Sequence, residues 1–257
     1  MDLWEICIVP SLLSNSGTWS GLKDCHCKEL DALQEYFLKR LLLLPNSTPK
    51  PAFLYESEMQ NMRTRVHKNI LSFVKHTAML GPEALSKNIL EEQVENGWNG
   101  LVKDAVAVSD SVRVHGLLDS AVTKKAFKKS VKTVLKQRHD EEVKQEINKY
   151  KKMTILRNEK EKDNKYIKEE NIPSARVLYK YRCDMYDSKM NFKNNIEYKK
   201  DNFMCDSCES EVDDNLHVLH CPSYSDLRKD KDLNDNKHLC KYLLKVLNIR
   251  TKLKLTK

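Results

Sequence analysis

Glycine is scarce in this chain, at 6 of 257 residues. Scarce glycine, abundant Lys and Glu, and few alternating apolar patterns exclude a sheet-rich fold and predict a mostly helical one. Long apolar runs are also missing. The run at 41–44 is far short of the roughly 20 residues that a membrane span needs. Residues 1–13 are apolar, but they carry Glu5 and Pro10 and no basic leader, so they do not read as a signal peptide. Acids are absent between Asp119 and Asp140. Hydrophobic content is 40%, below the usual ~45–50%, and charged content is 32%, above the usual ~25%. That balance suits helices with wide solvated faces.

What is present is positive charge and cysteine. The net charge of +8 favours a polyanionic partner, because binding one releases its condensed counterions. Three of the eight cysteines stand in a metal-ligand pattern, which fits a reducing compartment better than a disulfide scaffold. The expected location is intracellular, in cytoplasm or nucleus, with no membrane partner.

The pattern is Cys205-Asp206-Ser207-Cys208, an eight-residue loop, then His217-Val218-Leu219-His220-Cys221. A Cys-x-x-Cys turn supplies two adjacent corners of a tetrahedron. His217 and Cys221, four apart, share one helical face and supply the other two. The expected cofactor is Zn²⁺ on Cys205, Cys208, His217 and Cys221, with His220 as the competing fourth ligand. Asn215 is the expected cap of that turn, and Pro222 limits it. Three thiolates, a neutral His and the ion sum to about −1, a charge that Lys199 and Lys200 are placed to offset. A redox pair is the other reading of Cys-x-x-Cys, but no βαβ setting surrounds it.

Along the chain, residues 3–13 read as a segment buried on both sides. Residues 24–44 predict an amphipathic helix with Leu30, Leu33, Phe37, Leu41 and Leu44 on its apolar stripe. Residues 46–51 read as a stiff connector, and 57–80 as a second helix. Shorter helices follow at 83–95 and 101–108, around a turn holding Trp98. Cys25-His26-Cys27 does not make a metal site, since three consecutive residues cannot close a tetrahedron.

Two stretches are candidates for contact with phosphate. The first holds Lys124, Lys125, Lys128, Lys129, Lys132, Lys136 and Arg138 on a helix whose apolar side is Ala126 or Phe127, Val131, Val134 and Leu135. Like charges in a run repel one another unless an anion screens them. The second, capped by Asn171 or Ser174, holds Arg176, Tyr179, Lys180 and Arg182, with Lys193 further on. Tyrosine rings there are candidates to stack on unpaired bases, or to pack a core. Asp226, Asp230, Asp232 and Asp235 read as a solvated loop, too short a setting for a nuclease.

Ile8-Val9-Pro10-Ser11-Leu12-Leu13 with Gly17-Thr18-Trp19 resembles the segment after the polymerase domain of non-LTR retrotransposon proteins. So do Tyr36-Phe37-Leu38 through Ser47-Thr48-Pro49-Lys50-Pro51-Ala52, Glu92-Gln93-Val94 with Gly97-Trp98, the lysine-rich helix, and 175–182 running on to Met190-Asn191-Phe192-Lys193. The Cys-Cys-His-Cys knuckle ending in His-Cys-Pro completes the series. The resemblance implies a C-terminal, post-polymerase fragment of a reverse transcriptase protein. The family's polymerase motif, an aromatic residue or Ala followed by x-Asp-Asp on a hairpin, is absent. Glu211-Val212-Asp213-Asp214 lies inside the knuckle loop and does not replace it. The chain is therefore expected to be no enzyme.

The expected fold is mainly α, an irregular helical bundle with a small C-terminal zinc-knuckle module. The expected divisions are a thumb-like remnant at 1–50, a basic helical region at 51–172 and the knuckle module at 173–257. The expected function is binding of RNA or single-stranded DNA. The alternatives are a protein-interaction module, with an intact reverse transcriptase as one partner, and a retroelement remnant with no role.

Overall fold

A computed structural model describes residues 3–46, 48–97, 100–151, 153–159, 164–192, 203–229 and 231–256. Among these the helices are α1 (Val9–Leu12), α2 (Asp24–Leu41), α3 (Lys50–Ser57), α4 (Met62–Ala78), α5 (Leu85–Glu95), α6 (Gly100–Ser111) and α7 (Lys124–Lys149). They continue with α8 (Thr154–Asn158), α9 (Tyr166–Glu169), α10 (Ile172–Arg182), α11 (Asn215–His220), α12 (Ser225–Arg228) and α13 (Asn236–Thr256). An isolated antiparallel bridge between Met204 and Val212 is the β feature among the described residues. The chain is mainly α, as its composition predicts. Among the described residues no helix is long and apolar enough to cross a membrane.

The chain divides into two compact units: Met1–Leu38 with Met59–Val143, and Lys39–Glu58 with Lys144–Lys257. α3 belongs with the second unit because its Glu56 is fully buried there against Arg182.

In the first unit, α4 lies against the 3₁₀ turn Ser16–Thr18, α5 and α6. It buries Met62, Val66, Ile70, Leu71 and Val74. Its first turn is capped twice. The Asn61 side chain accepts from the Thr64 N–H at 2.8 Å, and Asp31 of α2 accepts from the Met62 N–H at 2.7 Å. That second cap sets the face of α2. Cys27, Asp31, Gln34 and Leu38 turn inward, while Leu33 is 52% exposed. The predicted stripe through Leu30 and Leu33 is therefore displaced, because α4 needs acceptors that leucines lack. Gly17 permits the close approach of its turn to α4; a Cβ there would lie 2.8 Å from the Cβ of Phe73. At the start of the chain Trp4, Val9 and Leu13 are buried and Trp4 stacks on Phe37 at 4.6 Å, but Leu3 and Ile6 are exposed. The segment is one-sided, not buried all round.

The helix predicted from residue 57 begins at Met62, and α3 starts at the last two residues of the connector, with Pro51 in its first turn. Proline suits that position because the N–H it lacks would have had no helical partner. In the first unit α7 buries Phe127, Val131, Leu135, His139 and Val143 at four-residue steps. Phe127, not Ala126, is the apolar choice. Before α7, the fully buried Lys75 donates to the carbonyls of Gly116 (2.8 Å) and Asp119 (2.6 Å) and sits 5.5 Å from the Phe127 ring centre. One ammonium thus holds the turn in which Gly116 takes a φ of +86°.

In the second unit, α10 packs along α13. Asn171 caps α10, accepting from the Ser174 N–H at 3.0 Å. An ionic group lies within the unit. Arg182 Nε donates to Glu56 at 2.8 Å, and Nη2 donates to both oxygens of Glu159 at 2.7 and 2.8 Å. The Tyr166 hydroxyl donates to Glu56 at 2.5 Å. The Tyr186 hydroxyl donates to the Leu243 carbonyl at 2.8 Å.

Candidate metal centre

The chain reaches the centre through a short ribbon. The Met204–Val212 bridge and the Cys205 N–H bond to the Glu211 carbonyl (2.8 Å) fold 205–211 back on itself. Glu209 takes a φ of +55° just after Cys208, and its N–H returns to the Cys205 carbonyl at 2.8 Å. α11 then delivers His217, with Cys221 as the residue that ends the helix. The cap is Asp214, which accepts from the His217 N–H at 2.7 Å. Asn215, the predicted cap, instead donates to Asp184 at 2.7 Å and to the Tyr181 carbonyl at 3.2 Å. A carboxylate is the better acceptor at the positive end of a helix.

One ligand atom from each of Cys205, Cys208, His217 and Cys221 lies within 4.8 Å of the other three. Cys205 Sγ and Cys221 Sγ are 3.9 Å apart, and Cys208 Sγ is 3.4 Å from His217 Nε2. This group can hold a metal ion. His220 is exposed and is not one of the four donors. His217 Nδ1 is 2.8 Å from Glu211 Oε2. Donation from Nδ1–H to that carboxylate leaves the Nε2 lone pair for an ion.

The thiols differ in acidity. Burial acts to raise Cys208, but hydrogen bonds from the Ser210 side chain and backbone and from the Glu211 N–H outweigh it and bring the thiol down to about 6. Cys221 is pushed up to about 12, mainly by burial, with Cys205 and Cys208 adding to the rise. An ion binding here must displace protons.

The surroundings hold the centre from one side. Asp213 forms two bonds with Arg250 of α13, from Nη2 at 2.6 Å and Nη1 at 3.1 Å, and both side chains are buried. Arg250 also donates to the Asp187 carbonyl and, through Nε, to the Tyr224 hydroxyl at 3.3 Å. The Tyr224 hydroxyl is in turn 2.5 Å from Ser207 Oγ, between the first two cysteines. Lys189 pairs with Asp206 at 3.0 Å. Sequence reasoning missed Asp213 and Arg250; the single arginine among the lysines of α13 is the mark the pair leaves.

The lysine-rich run is divided. Lys125, Lys128, Lys129, Lys132 and Lys136 are exposed, and no ion pair engages them among the described residues. Lys124 Nζ lies 2.9 Å from His76 Nδ1. Arg138 is committed to Glu142 (3.0 Å) and the Ser111 carbonyl (2.8 Å).

The second basic stretch differs from its prediction. Tyr179 is 1% exposed and Arg182 is held by two carboxylates, so neither is presented to a ligand. The ring is needed by the core of α10 and the guanidinium by Glu56. Arg176 and Lys180 are half-buried. Burial lowers the Lys180 ammonium, and neighbouring Arg176 lowers it further. Lys193, Lys199, Lys200, Trp98 and Asp230 lie outside the described residues. Asp226 lies within α12 and pairs with Lys229 at 2.7 Å, and Asp235 accepts from the His238 N–H at 3.2 Å at the start of α13, so these two acids belong to helix ends and not to a loop. Neither a protein-family model, nor a curated protein, nor a solved structure matches this chain.

Proposed function

We propose that this chain is a zinc-containing nucleic-acid-binding protein without polymerase activity, related to the post-polymerase region of non-LTR retrotransposon reverse transcriptases. The observation that carries the nucleic-acid reading is the set of five exposed lysines on α7 with no carboxylate partner. Several cations elsewhere meet carboxylates, among them Arg63, Arg65, Arg182, Lys189, Arg250 and Lys254. A stripe left unneutralised favours a polyanion.

Zinc is the ion that the donors favour. Three thiolates and an imidazole are soft and borderline ligands, and bond lengths near 2.3 Å place sulfurs about 3.8 Å apart in a tetrahedron. The Cys205–Cys221 separation of 3.9 Å fits that edge. Four protein donors leave no open position for substrate, which supports a structural role. Native mass spectrometry after zinc loading tests the stoichiometry, with one ion per chain expected. Titration of fluorescent RNA and single-stranded DNA at rising salt tests the binding. A flat dependence of log affinity on log salt would remove the nucleic-acid reading.

The second reading is a protein-interaction module. It is favoured by the knuckle itself, where 203–224 holds Asp206, Glu209, Glu211, Asp213 and Asp214 but no Lys or Arg. Val212 and Leu216 are 45% and 67% exposed there. A pull-down with an intact reverse transcriptase, repeated after nuclease treatment, separates the two readings.

A further inference from the structure

We infer that the nucleic-acid contact of this chain is confined to one face of α7, reads no base sequence, and does not involve the metal centre. The inference rests on the nucleic-acid reading above and assigns its site and mode.

The face follows from helical geometry. At about 100° per residue, Lys125, Lys128, Lys129, Lys132 and Lys136 fall within an arc about 100° wide. Their rise covers about 17 Å. Phe127 and Val131 point more than about 100° away from the middle of the arc, into the core, and the buried Leu135 lies about 20° outside its edge. Lys124, which lies outside the arc, is the one drawn to His76. Asp140 is the first acid after the run, and it makes no ion pair with Lys136. The result is an uninterrupted cationic ridge on a straight support.

The chemistry of that ridge decides its mode. Lysine's base-edge contact is with guanine O6 and N7 alone; reading the other bases takes Asn, Gln, a carboxylate or an apolar contact. Stacking on unpaired bases takes exposed aromatic rings. The arc carries neither. The one aromatic residue of its helical segment, Phe127, is 1% exposed, and Arg138 is spent on Glu142 and Ser111. Ammonium groups on flexible stems act as point charges toward phosphate. An anionic lipid surface offers similar charge, but interfacial helices also insert apolar wedges. The exposed residues between these lysines are Ala126, Ser130 and Thr133, which supply none.

The knuckle is the wrong sign for the same ligand. Of its five carboxylates, Asp206 meets Lys189, Asp213 meets Arg250 and Asp214 caps α11, while Glu209 and Glu211 are exposed. A bound zinc with three thiolates adds about −1. A phosphate backbone is repelled there, so zinc orders the second unit without touching the ligand.

The test uses the full zinc-loaded chain and three probes: dT20, dA20 and a mixed-sequence RNA 20-mer. The expected result is equal affinity for all three within about threefold, and a log–log salt slope of about −4. The variant K125Q/K128Q/K129Q/K132Q/K136Q keeps exposed helix-forming side chains. It should lose about a hundredfold in affinity at 100 mM salt and flatten the slope to about −1. Photo-cross-linking to a 4-thiouridine-substituted RNA, which does not require lysine, should map to 125–136, with no adduct in 203–224. The inference is overturned by a quintuple variant that binds normally, by a probe preference above tenfold, or by adducts on the knuckle. It is also overturned if vesicles of 30% phosphatidylserine bind the chain more tightly than any probe. No binding to any probe would sink the proposed function itself, a separate outcome.

Discussion

Replacing Arg182 with Met should be among the most damaging single changes in the second unit. Glu56 has no exposed side-chain surface, and Arg182 has 8%. Truncating one partner of a buried ion pair leaves the other charge uncompensated, at a cost of about 3–5 kcal/mol. For a domain of this size that is a fall of about 12–20 °C in melting temperature. The acid then responds in a defined direction. Burial raises the Glu56 carboxyl above its ordinary value and Arg182 opposes that rise. Without Arg182 the carboxyl rises further, so the folded variant keeps a proton that the unfolded chain has released. Stability of that kind is complete below the ordinary carboxylate pKa and is lost as pH increases through the folded value. The penalty of R182M should therefore grow from pH 5 to pH 8. In E56Q/R182M the pH slope should vanish and at least half of the lost stability should return, since Tyr166 still has an acceptor. Urea unfolding at fixed zinc concentration measures all of this. A loss below about 1 kcal/mol for R182M, or a double variant no better than the single, would refute the reasoning.

Glu211→Gln weakens the acceptor of the His217 Nδ1 proton, and zinc affinity measured by chelator competition should fall about 10- to 100-fold. Lys75→Met strands the Gly116 and Asp119 carbonyls, and should cost about 2–3 kcal/mol in urea melts. Burial, with help from Arg63 and Arg138, holds the His67 imidazole below its ordinary value. The unfolded chain then takes up a proton first as pH falls below about 6.5, so the first unit should lose stability from there downward. H67Q should abolish that part of the slope.

The four-donor cluster was legible because its chemistry is local. All four donors lie between Cys205 and Cys221, and tetrahedral geometry restricts how they meet. The unpaired lysines were legible for the same reason, since α7 is regular and its apolar residues recur at four-residue steps. What sequence could not show was set at a distance. The inward face of α2 follows from α4 needing Asp31 as a cap, which no periodicity of α2 encodes. Arg182 resembled a ligand-contacting residue because Glu56, its reason to be buried, lies 126 positions away. α3 was hidden by its prolines, which read as a connector until the first turn of the helix accommodates Pro51.

Arg250 carries a consequence for reading genes that contain this motif. It lies well downstream of the last cysteine, yet its guanidinium grips the aspartate beside the ligand helix and the tyrosine that braces the first turn. A stop codon falling just ahead of it would preserve every encoded donor and still free the acid–base clasp behind them. An open frame that retains the signature but ends early should therefore yield a polypeptide that captures zinc weakly and exchanges it fast.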